Sequence, residues 1–337
     1  MRIAIANDSA SLRNALQRTI TESSTHEVIW TASSGSEALE RCRQEHPDAL
    51  LLDIIMQDMT GVEATRQIMA ATPCAIVMLN DESSDQTASI FDALGAGALD
   101  AVSLPADFSK TGSSGQKLLL RKLDLVSRLT TGAAKRKAPA SAVRGEGSGL
   151  VTLGASAGGP AALATVLGSL PKEFPAPVIV VQHVDPQFAS GLATWLAQQC
   201  QLQVRLAEEG DIPQPGLVLV AAREDHLVFT SGNKLGYTRA AAETSYRPSV
   251  DVFLKSVDRF WTGSVVAVLL TGMGRDGAEG LRLLRSSGHH TIAQNRQTSA
   301  VYGMPKAAAE LNAATEILAL DKIGLRLAHL FPAIKKQ

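Results

Sequence analysis

Three side chains that together can cleave an acyl bond occupy similar places in separate parts of the sequence. Ser156 lies in LVTLGASAGGPAAL, His183 in VIVVQHVDP and Asp276 in VAVLLTGMGRDGAEGL. Each segment reads as an apolar strand running into a turn, which puts each side chain at the carboxyl end of a strand. A hydroxyl is a weak nucleophile until a base takes its proton, and an imidazole serves as that base when a carboxylate fixes its tautomer. Ser, His and Asp at three strand ends of one sheet can fill those roles, whatever their chain order. Singly, each has an ordinary alternative: Ser156 or Asp276 as a helix cap, His183 as a satisfied structural residue. The Ser156 turn is built from Gly154, Ala155, Ala157, Gly158 and Gly159, which allow tight backbone geometry and close approach of a substrate. Pro160 suits a first helical turn. Such turns also cradle phosphates, but this one lacks the Lys of a P-loop and the full dinucleotide fingerprint.

The second candidate group is acidic. Asp8 follows the first apolar run and Asp53 the third. Carboxylates meeting at one sheet edge can hold a hard divalent cation such as Mg²⁺ through oxygen. One of them can then act as nucleophile toward a phosphoryl group. Helix-cap or turn roles are again the alternative.

These residues need sheets to position them. Residues 3–6, 28–32, 49–52, 75–79 and 101–103 read as strands, with helical patterns near 10–21, 35–45, 61–71, 85–95 and in KLLLRKLDLVSRL. Continuous apolar strands between helices imply a parallel sheet covered on both faces, here a flavodoxin-like β/α arrangement. The second block repeats the logic in a Rossmann-like manner, with strands at 150–153, 178–181, 203–206, 218–220 and 265–270. A ribbon through 226–229 and 235–238 turns at Ser231-Gly232-Asn233. The expected fold class is α/β: two doubly wound parallel-sheet domains, residues 1–129 and 149–337. A flexible linker over 130–148, rich in Gly, Ala, Ser and Lys/Arg, joins them. Lys135-Arg136-Lys137 in that linker reads as a solvated charge cluster.

Composition narrows the classes further. The 337 residues suit two domains, and 45% hydrophobic with 19% charged excludes a mostly disordered chain. A net charge of −1 argues against a nonspecific nucleic-acid binder. No apolar run approaches the roughly 18 residues of a membrane span, which implies no direct membrane insertion. The N-terminal strand without a cleavable apolar segment, with the scattered cysteines, leads to the expectation of a reduced, cytoplasmic protein. Cys42, Cys74 and Cys200 are too scattered for a disulfide framework or a clustered metal site.

The first block resembles the response-regulator receiver family over its whole length. Asp53, in LLDIIMQDMTG, stands at the family's phosphorylated Asp, and Asp8, in ANDSA, at its metal-binding acid. Three positions depart from the pattern. Asn7 replaces the first of the usual acidic pair, Asn80 the Ser or Thr ending strand four, and Leu104 the Lys before the Pro of strand five. The resemblance implies phosphorylation of Asp53 by a CheA-type histidine kinase, with Mg²⁺ at Asp8 and Asp53. Asn7 should weaken the cation, and Leu104 removes the positive partner of a new phosphoryl oxygen.

The second block resembles CheB-type chemoreceptor methylesterases. GASAGGP, VVQHV, YRPSVDVF, LLTGMGRDGA and AVYGMPKAA match that family's segments in order and at fitting spacing. This implies a triad of Ser156, His183 and Asp276, an oxyanion held by the backbone N–H of Met273, and no cofactor for the esterase. Arg247, Pro248 and Ser249 fall in the segment lining the site. The implied substrate is a methyl-accepting chemoreceptor-type protein, with glutamine deamidation as a second activity under control of the phosphorylated first block. The pair of blocks is similar to the methylesterases of Wsp-type surface-sensing systems. Two other classes fit the residues less well: an anion-cradle nucleotide binder, which leaves His183 and Asp276 idle, and a non-catalytic adaptor, for which a complete triad is superfluous.

Overall fold

The computed structural model describes residues 1–23, 26–81, 86–110, 112–127, 149–239 and 246–332. The expected linker, with Lys135-Arg136-Lys137, lies outside them. The chain divides into two compact units, Met1–Ala133 and Ala134–Gln337.

In the first unit the chain runs β1 (Arg2–Ala6), α1 (Ala10–Glu22), β2 (Glu27–Ala32), α2 (Gly35–Gln44), β3 (Ala49–Asp53) and α3 (Gly61–Ala71). It continues through β4 (Ala75–Asp81), α4 (Thr87–Gly95), β5 (Asp100–Leu104) and α5 (Ser114–Ser127). The strands form a parallel sheet in the order β2-β1-β3-β4-β5, the flavodoxin-like arrangement expected. Helix starts are fixed by hydroxyl caps: Ser9, Ser34 and Thr60 accept backbone N–H groups of α1, α2 and α3. β1 and β3 are neighbours, and strand order reverses between them. Asp8 and Asp53 therefore stand at the crevice where such sheets bind ligands.

The second unit runs β6 (Leu150–Ala155), α6 (Gly159–Gly168), β7 (Val178–Gln182), α7 (Ala189–Gln199), β8 (Gln203–Leu206) and β9 (Leu217–Val220). Next come β10 (His226–Thr230), β11 (Lys234–Thr238), α8 (Val250–Phe260), β12 (Val265–Leu269), α9 (Ala278–Ser286) and β13 (His290–Gln294). α10 (Met304–Glu310), β14 (Glu316–Leu318) and α11 (Leu320–Leu330) complete it. Its parallel sheet has the order β14-β13-β12-β6-β7-β9-β8, with β10 and β11 forming a separate antiparallel ribbon. β6, β7 and β12 are buried at every position, because helices cover both faces. Each Val or Leu so buried contributes about 1.5–3 kcal/mol.

β13 and β14 were not among the expected strands. β13 reads HTIAQ, and its polar side chains are buried by hydrogen bonding rather than excluded. Thr291 donates to the Ala313 carbonyl at 2.8 Å, and Gln294 accepts the Thr271 N–H at 2.7 Å. Among the described residues no helix is long and apolar enough to cross a membrane.

Candidate active site

β6 lies between β7 and β12 in the sheet, and the order of strands reverses at β6. The loops leaving the carboxyl ends of these three strands therefore emerge side by side, and they carry Ser156, His183 and Asp276. Hydrogen bonds join the loops. The His183 N–H donates to the Ala155 carbonyl at 3.0 Å, and the Ser156 N–H to the Thr271 carbonyl at 3.1 Å. Gln182, buried at the end of β7, donates its amide to both the Ser156 and His183 carbonyls, at 2.8 and 2.9 Å. Thr271 bonds the Ala157 carbonyl through its hydroxyl, which also accepts the Val301 N–H. A buried polar lattice thus fixes the backbone on which Ser156 and His183 stand.

The imidazole and the carboxylate meet. His183 Nε2 lies 2.7 Å from Asp276 Oδ2, with the two side chains 9% and 8% exposed, so the pair interacts with little screening by water. Asp276 does not cap α9, whose N-cap is Gly277. It sits instead at the N-terminus of α8, accepting the Val250 and Asp251 N–H groups at 2.6 and 3.1 Å and the Ser249 hydroxyl at 2.7 Å. Those N–H groups are the orphan donors of a helix start, where the helix dipole also favours an anion. Burial works against the charged form of Asp276, but His183, Ser249 and Val250 outweigh it and hold the carboxyl below its ordinary range. The carboxylate form of Asp276 is thus the one that faces the His183 ring. With Nε2 on Asp276, it is Nδ1 that is left for chemistry. That atom is buried and has no hydrogen-bond partner among the described residues.

Ser156 is buried in the turn between β6 and α6, and α6 has no side-chain cap, so Ser156 is not spent on one. Gly158 holds the turn at φ +70°, and a Cβ there would lie 2.6 Å from that of Ala300. Gly272 packs directly on the serine: a Cβ at 272 would sit 2.8 Å from Ser156 Cβ. The Gly272 carbonyl accepts from Gly303 and Met304, whereas the next N–H, that of Met273, has no acceptor among the described residues. Among those residues no hydrogen bond joins Ser156 to His183. Catalytic hydrogen bonds are commonly open before substrate binds.

Two side chains at this site were not singled out from sequence. Tyr246 stacks face to face on His183, with ring centroids 4.4 Å apart and planes 4° from parallel. Gln182 ties the serine and histidine loops together. Both sit inside the motifs YRPSVDVF and VVQHV, whose contacts with the site only the fold reveals.

In the first unit, burial pushes the Asp53 carboxyl up to about 6, and the charge of Asp8 pushes the same way. Asn7 donates its amide to Asp53 Oδ2 and accepts the Ser9 N–H on its own oxygen at 2.8 Å. Its oxygen is therefore already engaged by a backbone N–H. The donor set at this edge is the Asp8 and Asp53 carboxylates. No group of three or more His, Cys, Asp or Glu side chains fit to hold a metal occurs among the described residues. Mg²⁺ is commonly held by one or two carboxylates with water completing the shell. A cation here would also relieve the repulsion between Asp8 and Asp53, so the residues fit the ion. Leu104, at the end of β5, is buried.

Comparison with known proteins agrees with the architecture. Residues 151–327 match the CheB methylesterase family and residues 3–111 the response regulator receiver domain. A protein-glutamate methylesterase/protein-glutamine glutaminase from Burkholderia lata is 50% identical over 98% of this chain and 99% of its own length. One from a group 3 operon of Pseudomonas putida is 48% identical, covering 98% and 99%. The crystal structure of the Thermotoga maritima CheB methylesterase catalytic domain, 35% identical, covers 55% of this chain and 100% of its own, with a TM-score of 0.53. Identity of this degree along nearly the whole chain, together with the paired His and Asp at the switch point of the second sheet, leaves one conclusion: the chain belongs to the CheB methylesterase family, hydrolases of carboxylic esters, and carries a response regulator receiver domain ahead of the catalytic unit.

Proposed function

We propose that the chain hydrolyses glutamate γ-methyl esters on the cytoplasmic helices of a methyl-accepting chemoreceptor-type protein, with Ser156, His183 and Asp276 as its triad. The observation that carries this reading is the buried His183–Asp276 hydrogen bond beside the loop bearing Ser156. His183 Nδ1 takes the proton of the Ser156 hydroxyl as its oxygen attacks the γ-carbonyl. Asp276 keeps the imidazole in the tautomer with its proton on Nε2 and stabilises the imidazolium. The Met273 N–H, which has no acceptor among the described residues and lies one residue from the glycine packed on Ser156, holds the oxyanion. His183 returns the proton to methanol as it leaves. A water then releases the glutamate from the acyl-enzyme by the same proton path. With a glutamine substrate, ammonia leaves in place of methanol and needs fuller protonation by His183. The esterase step uses no cofactor.

Phosphorylation of Asp53 by a CheA-type histidine kinase regulates this activity, in a cytoplasmic adaptation step of a chemotaxis-like or Wsp-type surface-sensing pathway. Asp8 and Asp53 would hold Mg²⁺, which neutralises charge during phosphoryl transfer. Asn7 keeps Asp53 oriented and withholds one negative charge from the ion. Leu104 offers no cation to the phosphoryl group, so the phosphorylated state is reported to the rest of the chain without that ion pair.

The test is methanol release from a methylated receptor, with and without a small phosphodonor. A rate that the phosphodonor raises supports both halves of the reading, and no methanol release at all rejects it. Asp53→Ala is expected to abolish both phosphoryl labelling and the rise in rate. Equal labelling of variant and wild type would place the phosphate elsewhere. Removing residues 1–129 is expected to raise the basal rate, because a restraint of a few kcal/mol is enough to hold most molecules inactive. A truncated enzyme no faster than the unphosphorylated whole would show that the receiver does not inhibit.

A further inference from the structure

Two ring nitrogens and one covered face govern what the His183 ring can do. Nε2 is tied to Asp276 and Nδ1 is left for the serine. One face is covered by Tyr246, nearly parallel at 4.4 Å. We propose that Tyr246 is a positioning residue for the hydrolysis: its ring, stacked on the His183 imidazole, holds the plane of the base and stabilises the imidazolium that forms during acyl transfer. This rests on the triad reading and adds to it a residue outside the triad.

The stack acts on the base in three ways. An imidazole that swings about its Cβ–Cγ bond loses in-plane alignment with Asp276 at one nitrogen and with the serine at the other. A flat neighbour resists that rotation, because the ring edges would have to push into it. Second, the imidazolium that appears in the transition state faces the negative side of an aromatic quadrupole, an attraction that strengthens as water is excluded. It acts on the charged species and so favours the transition state over the resting enzyme. Third, Tyr246 is itself held. Its phenol oxygen packs over Gly274, where a Cβ would lie only 2.7 Å from it, and Gly274 adopts φ +80°. Three residues further on, Ser249 donates its hydroxyl to Asp276 and caps α8. One short stretch, Tyr246 to Ser249, therefore grips both the base and the acid that orients it.

Stacking and direct substrate contact predict different kinetics. A contact with the receptor would show in KM and would leave a small reagent indifferent. A positioning role shows in kcat and in every reaction that needs His183 as base. The measurements are methanol release from methylated receptor and the rate at which a fluorophosphonate probe acylates Ser156, both on the full-length protein.

Tyr246→Leu, which keeps bulk but removes the aromatic face, is expected to lower kcat and probe acylation by about tenfold each, with KM unchanged. Tyr246→Phe keeps the face and is expected within about twofold of wild type in both. If Tyr246→Leu does not fold, as read by its melting temperature, the unbranched Tyr246→Met takes its place with the same expectation. Three results overturn the proposal: the Leu or Met variant acylated at the wild-type rate, the Phe variant as slow as the Leu, or a loss confined to KM on receptor. A wild type that the probe does not label at Ser156 brings down the triad reading instead, and this proposal with it.

Discussion

Ser156→Ala is expected to release no detectable methanol from a methylated receptor and to lose all labelling by a fluorophosphonate probe. The expected loss in kcat is on the order of 10⁵–10⁶, the scale seen when a triad nucleophile is removed from a serine hydrolase. The site predicts a clean experiment. Every hydrogen bond that places residue 156 uses its backbone: its N–H to Thr271, its carbonyl to the Gly159 N–H and the Gln182 amide. Alanine retains all of them, and the Cβ that packs on Gly272 is already present. Stability should therefore stay within about 0.5 kcal/mol of wild type, a shift of no more than a few degrees in melting temperature. A variant that folds normally, keeps its His183–Asp276 pair and is inert isolates the hydroxyl as the cause. Methanol release at more than about a hundredth of the wild-type rate would mean that water, and not Ser156, attacks the ester.

The elements that carry the proposed triad were legible because their signals are local. β6, β7 and β12 are apolar runs, interrupted only by Thr152 in β6 and ended by small or polar residues, a pattern that fixes a buried parallel strand and its carboxyl end together. Ser156, His183 and Asp276 could be placed beyond strand ends for that reason, and Asp8 and Asp53 by the same pattern in β1 and β3. What stayed hidden depends on contacts between distant segments. β13 was missed because Thr291 and Gln294 look like solvent-facing residues until Ala313 and Thr271 supply their partners. The helix that serves Asp276 could not be named either. Its own turn leads into α9, yet its carboxylate lies at the start of α8, which precedes it in the chain by 26 residues at Val250. The stack of Tyr246 on His183 joins positions 63 residues apart by their numbers, and no periodicity reports such a pairing. Local patterns set the edges of the sheet; the partners of each functional group are set by how its loops close over that edge.

The same placement of Asp276 makes Asp276→Asn the second large effect, and one with a definite cause. Each carboxylate oxygen accepts two hydrogen bonds: Oδ2 from His183 Nε2 and the Val250 N–H, Oδ1 from the Ser249 hydroxyl and the Asp251 N–H. Asparagine keeps one acceptor oxygen and replaces the other with an NH₂ donor. If the NH₂ faces Ser249 and Asp251, it meets the buried Asp251 N–H donor to donor, at a cost of about 1–3 kcal/mol. If it faces His183, the imidazole must accept at Nε2 and so carry its proton on Nδ1. Nδ1 is then blocked from taking the Ser156 proton, and the Val250 N–H loses its acceptor as well. Both orientations are poor, but only the second disables the base, and it does so by tautomer rather than by distance. The serine-protease precedent for a wrong tautomer is a loss of about 10⁴ in kcat. We expect a loss of that order here, with KM little changed and a lower melting temperature, in contrast to the thermally silent Ser156→Ala. Methanol release and a thermal melt on the same preparation check both halves. A variant that keeps a tenth of the wild-type kcat would show that the His183 tautomer is set by something other than this carboxylate.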